Sequence, residues 1–217
     1  MILLGHRGAR KYAPENTIAA FEMALEHGCD GFEFDVRLTA DRDAVLCHDP
    51  KFCGVSVAKS SYQKLYDAGA KRGKEIAVLE EILGFGSRAF LNIELKVGGA
   101  EELLIELLKK DPAEKGLVIS SFLPRVVQRL YELDAKLPLG LICGNRRQLA
   151  KWKGLPIRAV MLHGGLVSST LLEQLNAAQK QVFVWTVNSA REMEKFAEMG
   201  VDGIISDDTK LLVKTLG

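Results

Sequence analysis

The sequence predicts an α/β fold, a (β/α)8 or TIM barrel, from the number of its strand-like segments, their apolar character and their alternation with helices. Strand-like apolar segments occur eight times, at residues 2–5, 31–36, 89–95, 117–121, 138–142, 158–162, 181–187 and 202–206. Strands that are apolar throughout are typical of a parallel sheet covered by helices. Eight such strand and helix units are the number that closes this barrel.

The helices between these strands are predicted by apolar residues that recur every three or four positions. Such patterns cover residues 17–28, 101–110, 123–134, 169–179 and 189–200. Gly28 and Gly200 stand where a glycine commonly follows the last turn of a helix. Two further helices are expected near residues 60–68 and 79–85, within the long connection formed by residues 49–88.

One strand-like segment, residues 44–48, does not fit this alternation. Only residues 36–43 separate it from the second strand, whereas a parallel crossover needs about a dozen residues or more. The segment is therefore predicted to turn back on the second strand as an antiparallel excursion around the sequence TADRD, above the carboxyl ends of the barrel strands.

Composition limits the classes of partner. The chain has 217 residues, 47% of them hydrophobic, and a net charge of +1, so we expect one domain, residues 1–217, with a well-buried core. The charge provides no excess of basic residues, so neither nucleic acid nor stable membrane association is expected, and the partner should be a small molecule. The apolar run after Met1 is too short for a signal peptide, which predicts a cytoplasmic location. The sequence specifies no oligomeric state.

The cysteines are interpreted as reduced, small, buried hydrophobic residues, because they contain no Cys-x-x-Cys pair. They are Cys29, Cys47, Cys53 and Cys143. A nucleophilic thiol at Cys47, next to His48, is the alternative interpretation. Strand alternation would turn those two side chains to opposite faces, which disfavours it.

Polar side chains of reactive types recur at the carboxyl ends of the predicted strands, where the active site of a (β/α)8 barrel lies. These residues are His6, Arg7, Glu33, Asp35, His48, Glu94 and Lys96. Each alone has an ordinary structural interpretation, such as a solvated strand face for Glu33 and Asp35 or a surface ion pair for Lys96. Their common position at one rim favours a functional site.

The types of these residues suit phosphate-ester chemistry. Three carboxylates from two neighbouring strands, Glu33, Asp35 and Glu94, are hard oxygen ligands suited to Mg²⁺ or Ca²⁺. A divalent cation beside the two basic residues of the rim would form a positive pocket, whose natural ligand is a phosphate ester. His6 and His48 titrate near neutrality and are candidates for a general base and a general acid.

Several segments together are similar to those of a known family. They are GHRGARKYAPENTIAAFEMALEHGCDGFEFDVRLTADRDAVLCHDP, NIELK, ISSF, VFVWTVN and GVDGIISDD. They resemble the glycerophosphodiester phosphodiesterase family, and the resemblance covers nearly the whole chain. It implies a TIM barrel that hydrolyses glycerophosphodiesters such as glycerophosphocholine to glycerol 3-phosphate and an alcohol, as part of lipid and glycerol metabolism. It also implies one divalent cation, Mg²⁺ or Ca²⁺, with Mn²⁺ as a further candidate.

The resemblance also implies a role for each matching residue. His6 and His48 would be the acid and base pair, Glu33, Asp35 and Glu94 the metal ligands, and Arg7 and Lys96 the phosphate-binding residues. Glu15 would hold Arg7 or His6 in place, and Asn16 would cap the first helix. Trp185 would form an apolar wall against the carbons of the glycerol or the leaving group.

Two departures from the family pattern affect these expectations. Arg42 stands where the family usually has a glycine in the turn after the second strand, which should alter the turn and spare the site. Residues 49–69 replace a family segment that is followed by a longer insertion, which helps hold the glycerol group. The preferred alcohol is therefore left open.

Two other functions remain as alternatives. A phosphodiesterase similar to lysophospholipase D or sphingomyelinase D would need an apolar groove for an acyl chain, and residues 51–78 contain no long exposed apolar stretch. A non-catalytic barrel that binds phosphate esters would not need two histidines suited to proton transfer. For the hydrolase itself, attack by water and attack by the glycerol hydroxyl through a cyclic phosphate are both open.

Overall fold

The computed structural model describes residues 1–217 and contains a closed barrel of eight parallel strands. The strands are β1 Ile2–His6, β2 Gly31–Leu38, β3 Ala44–Leu46, β4 Lys51–Phe52, β5 Val55–Ser56, β6 Phe90–Leu95, β7 Leu117–Ser121, β8 Leu139–Cys143, β9 Ala159–His163, β10 Gln181–Trp185 and β11 Gly203–Ser206. All except β3, β4 and β5 belong to the barrel, which closes because β1 pairs with both β2 and β11. The predicted fold class and its eight predicted strands are confirmed.

The helices cover the outside of the barrel. They are α1 Ile18–Glu26, α2 Tyr62–Ala70, α3 Leu79–Leu83, α4 Glu101–Lys110, α5 Pro124–Leu133, α6 Arg146–Leu149, α7 Ser169–Ala177, α8 Ala190–Glu198 and α9 Thr209–Leu216. All seven predicted helices are present, and α6 and α9 lie outside the predicted set. The single turn of α6 is too short for periodicity to reveal. None of the helices has both the length and the apolar character needed to cross a lipid bilayer.

The predicted antiparallel excursion is confirmed. Strand β3 pairs with the end of β2, with Leu46 opposite Val36. In the turn between them, the backbone N–H of Asp43 donates to Thr39 Oγ1 at 2.8 Å. Arg42 has a φ of 70°, the left-handed conformation that a glycine adopts without strain. The turn therefore keeps a glycine-type backbone at a position where the side chain is arginine.

The connection after β3 begins with a short hairpin made of β4 and β5. Its turn residues, Cys53 and Gly54, have φ values of 50° and 84°, as a two-residue turn with positive φ at both positions requires. All four cysteines are free, and Cys53 is half-buried. The expectation that every cysteine is buried is wrong at Cys53, because the hairpin places it at the surface.

The barrel interior below the site is filled by apolar side chains. They are Leu4, Val118, Ile142, Ala159, Met161, Phe183 and Ile205. Gly203 makes room for the ring of Phe183, because a Cβ at that position would lie 2.4 Å from Phe183 Cδ1. A second, larger core lies between the barrel strands and the helices. The polar side chains at the carboxyl ends of the strands therefore stand on a packed apolar floor.

Candidate active site

The sequence-predicted residues meet at one cavity of about 180 Å³ at the carboxyl ends of the strands. Its lining consists of His6, Arg7, Glu33, His48, Asn92, Glu94, Lys96, Phe122, Ile142, Met161, Trp185 and Ile205. Asp35 and Glu15 contact Arg7 from outside the cavity, and Asn16 contacts Asp35. The structure thus brings together all ten site residues that the sequence proposed.

The cavity has two unlike walls. One wall carries the charged and polar side chains of the first part of the chain, from His6 to Lys96. The other wall is apolar and comes from Phe122, the residue after β7, and from strands β8 to β11. Phe122 and Trp185 contact each other edge to face in this wall, at 5.7 Å between ring centroids. A ligand with a charged end and a carbon-bearing end fits such a cavity in only one orientation, with its charged end against the polar wall.

The carboxylates of the polar wall form one cluster. Glu33 and Asp35 are two positions apart on β2, so their side chains lie on the same face of the strand. Asp35 lies opposite Glu94 in the register of β2 with β6. The three side chains are buried, and one carboxylate oxygen of each lies within 4.8 Å of the others. Their shared face therefore points into the protein, where carboxylates stay ionised only beside positive charge.

Two basic side chains supply part of that charge. Arg7 Nε lies 3.1 Å from Asp35 Oδ2, and Lys96 Nζ lies 2.8 Å from Glu94 Oε1 and 3.3 Å from Asp35 Oδ1. Burial alone would raise the pKa of Asp35, but Lys96, Arg7 and a hydrogen bond from Asn16 together lower it. Asp35 is therefore the most strongly neutralised carboxylate of the cluster.

The other two carboxylates lack sufficient positive charge. Burial, followed by repulsion from Asp35 and Glu94, raises the pKa of Glu33 well above its ordinary value. Burial and repulsion from Asp35 likewise raise the pKa of Glu94 to about 7. Three carboxylates face two basic side chains here, and the donor atoms available are oxygens. The cluster therefore fits a hard divalent cation, which would supply the missing charge.

The first active-site loop is held in an uncommon conformation. Arg7 has a φ of 55°, and its backbone N–H donates to Glu33 Oε2 at 3.0 Å. Its guanidinium donates to Glu15 Oε1 at 2.9 Å. Gly8 follows with a φ of 79°, and a Cβ there would lie 2.6 Å from the carbonyl carbon of Ala20. Close packing against α1 thus fixes the backbone that presents Arg7.

The expectation that Asn16 caps the first helix is wrong. Thr17 is the N-cap of α1, and its hydroxyl accepts the N–H of Ala20 at 3.2 Å. Asn16 has a φ of 57°, whereas an N-cap residue has an extended backbone. Its amide Nδ2 donates to Asp35 Oδ2 at 2.9 Å, and its Oδ1 accepts the backbone N–H of Asp35 at 3.2 Å. Asn16 orients a carboxylate of the cluster.

The two histidines both line the cavity. His6 Nδ1 lies 2.6 Å from Asp207 Oδ1, and His6 Nε2 lies 3.9 Å from Glu33 Oε2. Burial lowers the pKa of His6, and the hydrogen bond with Asp207 offsets part of that change. His48 is more exposed, and its Nδ1 lies 2.9 Å from Asp49 Oδ1. Each imidazole therefore has one nitrogen engaged by a carboxylate.

Two residues that position the histidines were not predicted. Asp207 follows β11, so the rule that picks out polar residues at strand carboxyl ends applies to it. Arg37 donates to the backbone carbonyl of His48 through Nε at 3.0 Å and Nη2 at 2.7 Å. Because this contact crosses from β2 to the end of the excursion, no local sequence pattern reveals it.

Comparison with known proteins identifies the relatives of the chain. The model of the glycerophosphoryl diester phosphodiesterase family matches residues 6–211. A glycerophosphodiester phosphodiesterase from Caldanaerobacter subterraneus subsp. tengcongensis is 34% identical over 236 residues, which cover 98% of this chain and 96% of that protein.

Solved structures of similar proteins share the fold. The crystal structure of a glycerophosphodiester phosphodiesterase from Thermotoga maritima has a TM-score of 0.82 and 26% identity, and covers 99% of this chain and 97% of that chain. An Oleispira antarctica phosphodiesterase, solved in complex with its product sn-glycerol-3-phosphate, has a TM-score of 0.87 and 24% identity, with coverage of 100% and 96%.

The fold, the charged cavity and these relatives define the class of this protein, which is a phosphoric diester hydrolase on a (β/α)8 barrel. The family model extends over almost the whole chain. The chain belongs to the glycerophosphoryl diester phosphodiesterase family.

Proposed function

We propose that this protein hydrolyses small glycerophosphodiesters to glycerol 3-phosphate and an alcohol with the help of one divalent cation, Mg²⁺ or Ca²⁺, with Mn²⁺ as a further candidate. The observation that carries the proposal is the cluster of Glu33, Asp35 and Glu94, whose carboxylate oxygens lie within 4.8 Å of one another in a cavity also lined by two histidines. These three side chains would hold the cation.

The phosphate group of the substrate would lie against the charged wall. Arg7 and Lys96 both line the cavity and both already neutralise Asp35. Their remaining donors can bind phosphoryl oxygens, on which negative charge develops during the reaction. A bound divalent cation supplies Lewis-acid polarisation of the same oxygens.

His6 is the proposed general base and His48 the proposed general acid. Asp207 engages Nδ1 of His6, so Nε2 can take the proton of the attacking hydroxyl as its oxygen forms a bond to phosphorus. The bond from phosphorus to the leaving oxygen breaks on the other side. His48, the more exposed of the two histidines, then donates the proton that the leaving alkoxide requires.

The apolar wall would hold the carbon-bearing part of the substrate. Trp185 lines the cavity, and its ring is fixed because Nε1 donates to the carbonyl of Met161 at 3.0 Å. Phe122 packs against it edge to face. A ring locked in this way offers an apolar surface to glycerol or leaving-group carbons at little entropic cost.

The attacking oxygen belongs either to water or to the substrate's own glycerol hydroxyl, which would form a cyclic phosphate. In the cyclic route, His48 would also act as the base that activates water against the cyclic phosphate, so the His48→Ala variant slows that later step as well as the release of the alcohol. A cyclic glycerophosphate in its product mixture would establish attack by the glycerol hydroxyl. Turnover of a substrate analogue that lacks the glycerol 2-hydroxyl would establish attack by water, because such an analogue cannot form the cyclic phosphate.

The test is glycerol 3-phosphate release from glycerophosphocholine, glycerophosphoethanolamine and glycerophosphoglycerol. The protein is stripped with a chelator and resupplied with Mg²⁺, Ca²⁺ or Mn²⁺. Release restored by a cation, and lost in Glu33→Gln and Asp35→Asn until more cation is added, supports the proposal. Turnover of lysophosphatidylcholine in place of these substrates, or phosphate-ester binding without turnover, would contradict it.

The cytoplasmic location is a separate part of the proposal and rests on the sequence. Fractionation of cells that express the full chain, followed by detection in the cytoplasmic fraction, tests it.

A further inference from the structure

We infer that Asn188 and Asp207 are positioning residues that hold His6 in the tautomer with its proton on Nδ1. Each member of this chain of hydrogen bonds fixes the orientation of the next. The inference rests on the proposed function in one respect, because the tautomer affects turnover only if His6 is the general base.

The chain of contacts begins at the backbone. The N–H of Asp207 donates to Asn188 Oδ1 at 2.9 Å, and the hydroxyl of Ser206 donates to the same oxygen at 3.1 Å. A backbone N–H can only donate, so the carboxamide of Asn188 cannot be reversed. Its Nδ2 must therefore point at Asp207 Oδ2, which lies 2.8 Å away.

The second step is the carboxylate. Asp207 accepts the amide of Asn188 on Oδ2 and faces His6 Nδ1 at 2.6 Å with Oδ1. An ionised carboxylate can only accept hydrogen bonds, so His6 Nδ1 carries the proton. The lone pair of the neutral ring is then on Nε2, the nitrogen on the side of Glu33, which lines the cavity.

The isosteric variant Asp207→Asn tests this arrangement sharply. Its new amide must place NH₂ toward either Asn188 or His6. The first choice places the new NH₂ 2.8 Å from Asn188 Nδ2, so that two donors face each other, and the Asn188 amide cannot reverse to accept. The second leaves the NH₂ beside Arg10 Nε, which lies 3.6 Å from the present Oδ1 and is beyond hydrogen-bond distance. The NH₂ should therefore face His6 and force the proton onto Nε2.

The exchanged pair Asn188→Asp with Asp207→Asn restores the original pattern. A carboxylate at position 188 accepts from Ser206 and from the backbone N–H of residue 207, and it also accepts the new amide. The amide oxygen at position 207 then faces His6 Nδ1. Net charge and side-chain size are unchanged, so recovery would come from the direction of the hydrogen bonds.

The experiment compares the wild type, Asp207→Asn and the exchanged pair in saturating Mg²⁺. The imidazole ¹⁵N shifts of His6 are recorded at about pH 8, where a histidine is neutral and its two tautomers are distinct. Steady-state kinetics with glycerophosphocholine give kcat and KM. Circular dichroism checks that each variant is folded.

Asp207→Asn should change His6 to the Nε2–H tautomer and lower kcat about 10²- to 10³-fold with little change in KM, the pattern of a wrong tautomer. The exchanged pair should restore the Nδ1–H tautomer and raise kcat at least about tenfold above that of Asp207→Asn. It cannot recover the whole loss of kcat, because a neutral amide stabilises an imidazolium less than a carboxylate does.

Two outcomes separate this inference from the proposed function. An Nδ1–H tautomer that persists in Asp207→Asn would overturn the inference, whatever the activity. A tautomer that changes and returns as expected while kcat stays constant would establish the positioning and refute His6 as the general base.

Discussion

Replacing Glu94 with glutamine should remove a loss of folding stability that the cation-free protein undergoes as the pH rises. Burial and repulsion from Asp35 raise the pKa of Glu94 from 4.5 to about 7. The folded protein therefore holds this proton more tightly than the unfolded chain. The stabilisation that comes from this tighter proton binding at Glu94 is fully present below pH 4.5 and is lost as the pH rises through about 7.

The size of this effect follows from the pKa difference. At about 1.4 kcal/mol per pKa unit, the interval from 4.5 to about 7 corresponds to about 3 kcal/mol of unfolding free energy. Glutamine has no proton to lose in this range. The stability of Glu94→Gln relative to the wild type should therefore increase by about 2.5 kcal/mol between about pH 5 and about pH 8, because the remainder of the effect falls outside this range.

The assay is urea unfolding of both proteins in the presence of a chelator at the two pH values. Other groups that titrate in this range, such as His6, are present in both proteins, so their effects largely cancel in the difference. Glu33 is the exception, because repulsion from Glu94 contributes to its raised pKa, and loss of that repulsion adds to the expected increase. Glu106→Gln, at an exposed position of α4, is the matched control and should show no such increase. Saturating Mg²⁺ should stabilise the wild type more at the higher pH. A difference between Glu94→Gln and wild type that is equal at both pH values would refute the reasoning.

Three further predictions concern single residues. His6→Ala and His48→Ala should each lower kcat by about two to four orders of magnitude while leaving Mg²⁺ affinity, measured by calorimetry, nearly unchanged; a large loss of affinity would assign the histidine to the cation site. Asn16→Ala should weaken Mg²⁺ binding about tenfold or more, because the bonds that orient Asp35 are lost; unchanged affinity would remove Asn16 from this role. Arg42→Gly should raise the thermal midpoint by relieving left-handed strain of about 1 kcal/mol, with kcat constant. A lower midpoint would show that the strain is outweighed by the hydrogen bond from Arg42 to Gly99 together with the entropy that glycine adds to the unfolded chain.

The fold was predictable because the barrel strands differ from the helices in the period of their apolar residues. The excursion was predictable from distance alone, since the residues between β2 and β3 cannot span a parallel crossover. The β4 and β5 hairpin was not, because its strands have two residues each and one of its turn positions is Cys53, a residue type that does not signal positive φ. Local pattern therefore predicted the long elements and failed for the shortest ones.

The site was predictable where a residue's role depends on its position along a strand. Glu33, Asp35 and Glu94 follow from strand alternation and register. The function of Asn16 could not be read in this way, because the same sequence allows a helix cap and a left-handed residue. The choice depends on Asp35, nineteen positions away in the chain. Its carboxylate accepts a hydrogen bond from Nδ2 of Asn16, and its backbone N–H donates to Oδ1 of Asn16.

The two unlike walls of the cavity come from two successive parts of the chain. The last residue of the charged wall is Lys96 and the first residue of the apolar wall is Phe122. A single crossover point between them would exchange the apolar wall of one family member for that of another. Asn188 and Asp207, which we infer hold His6, lie after this point, so a chimeric enzyme must retain these two residue types to keep its phosphoryl chemistry. With both retained, the order of the residues along the chain allows the surface that contacts the carbon-bearing part of the substrate to change while the charged wall stays the same.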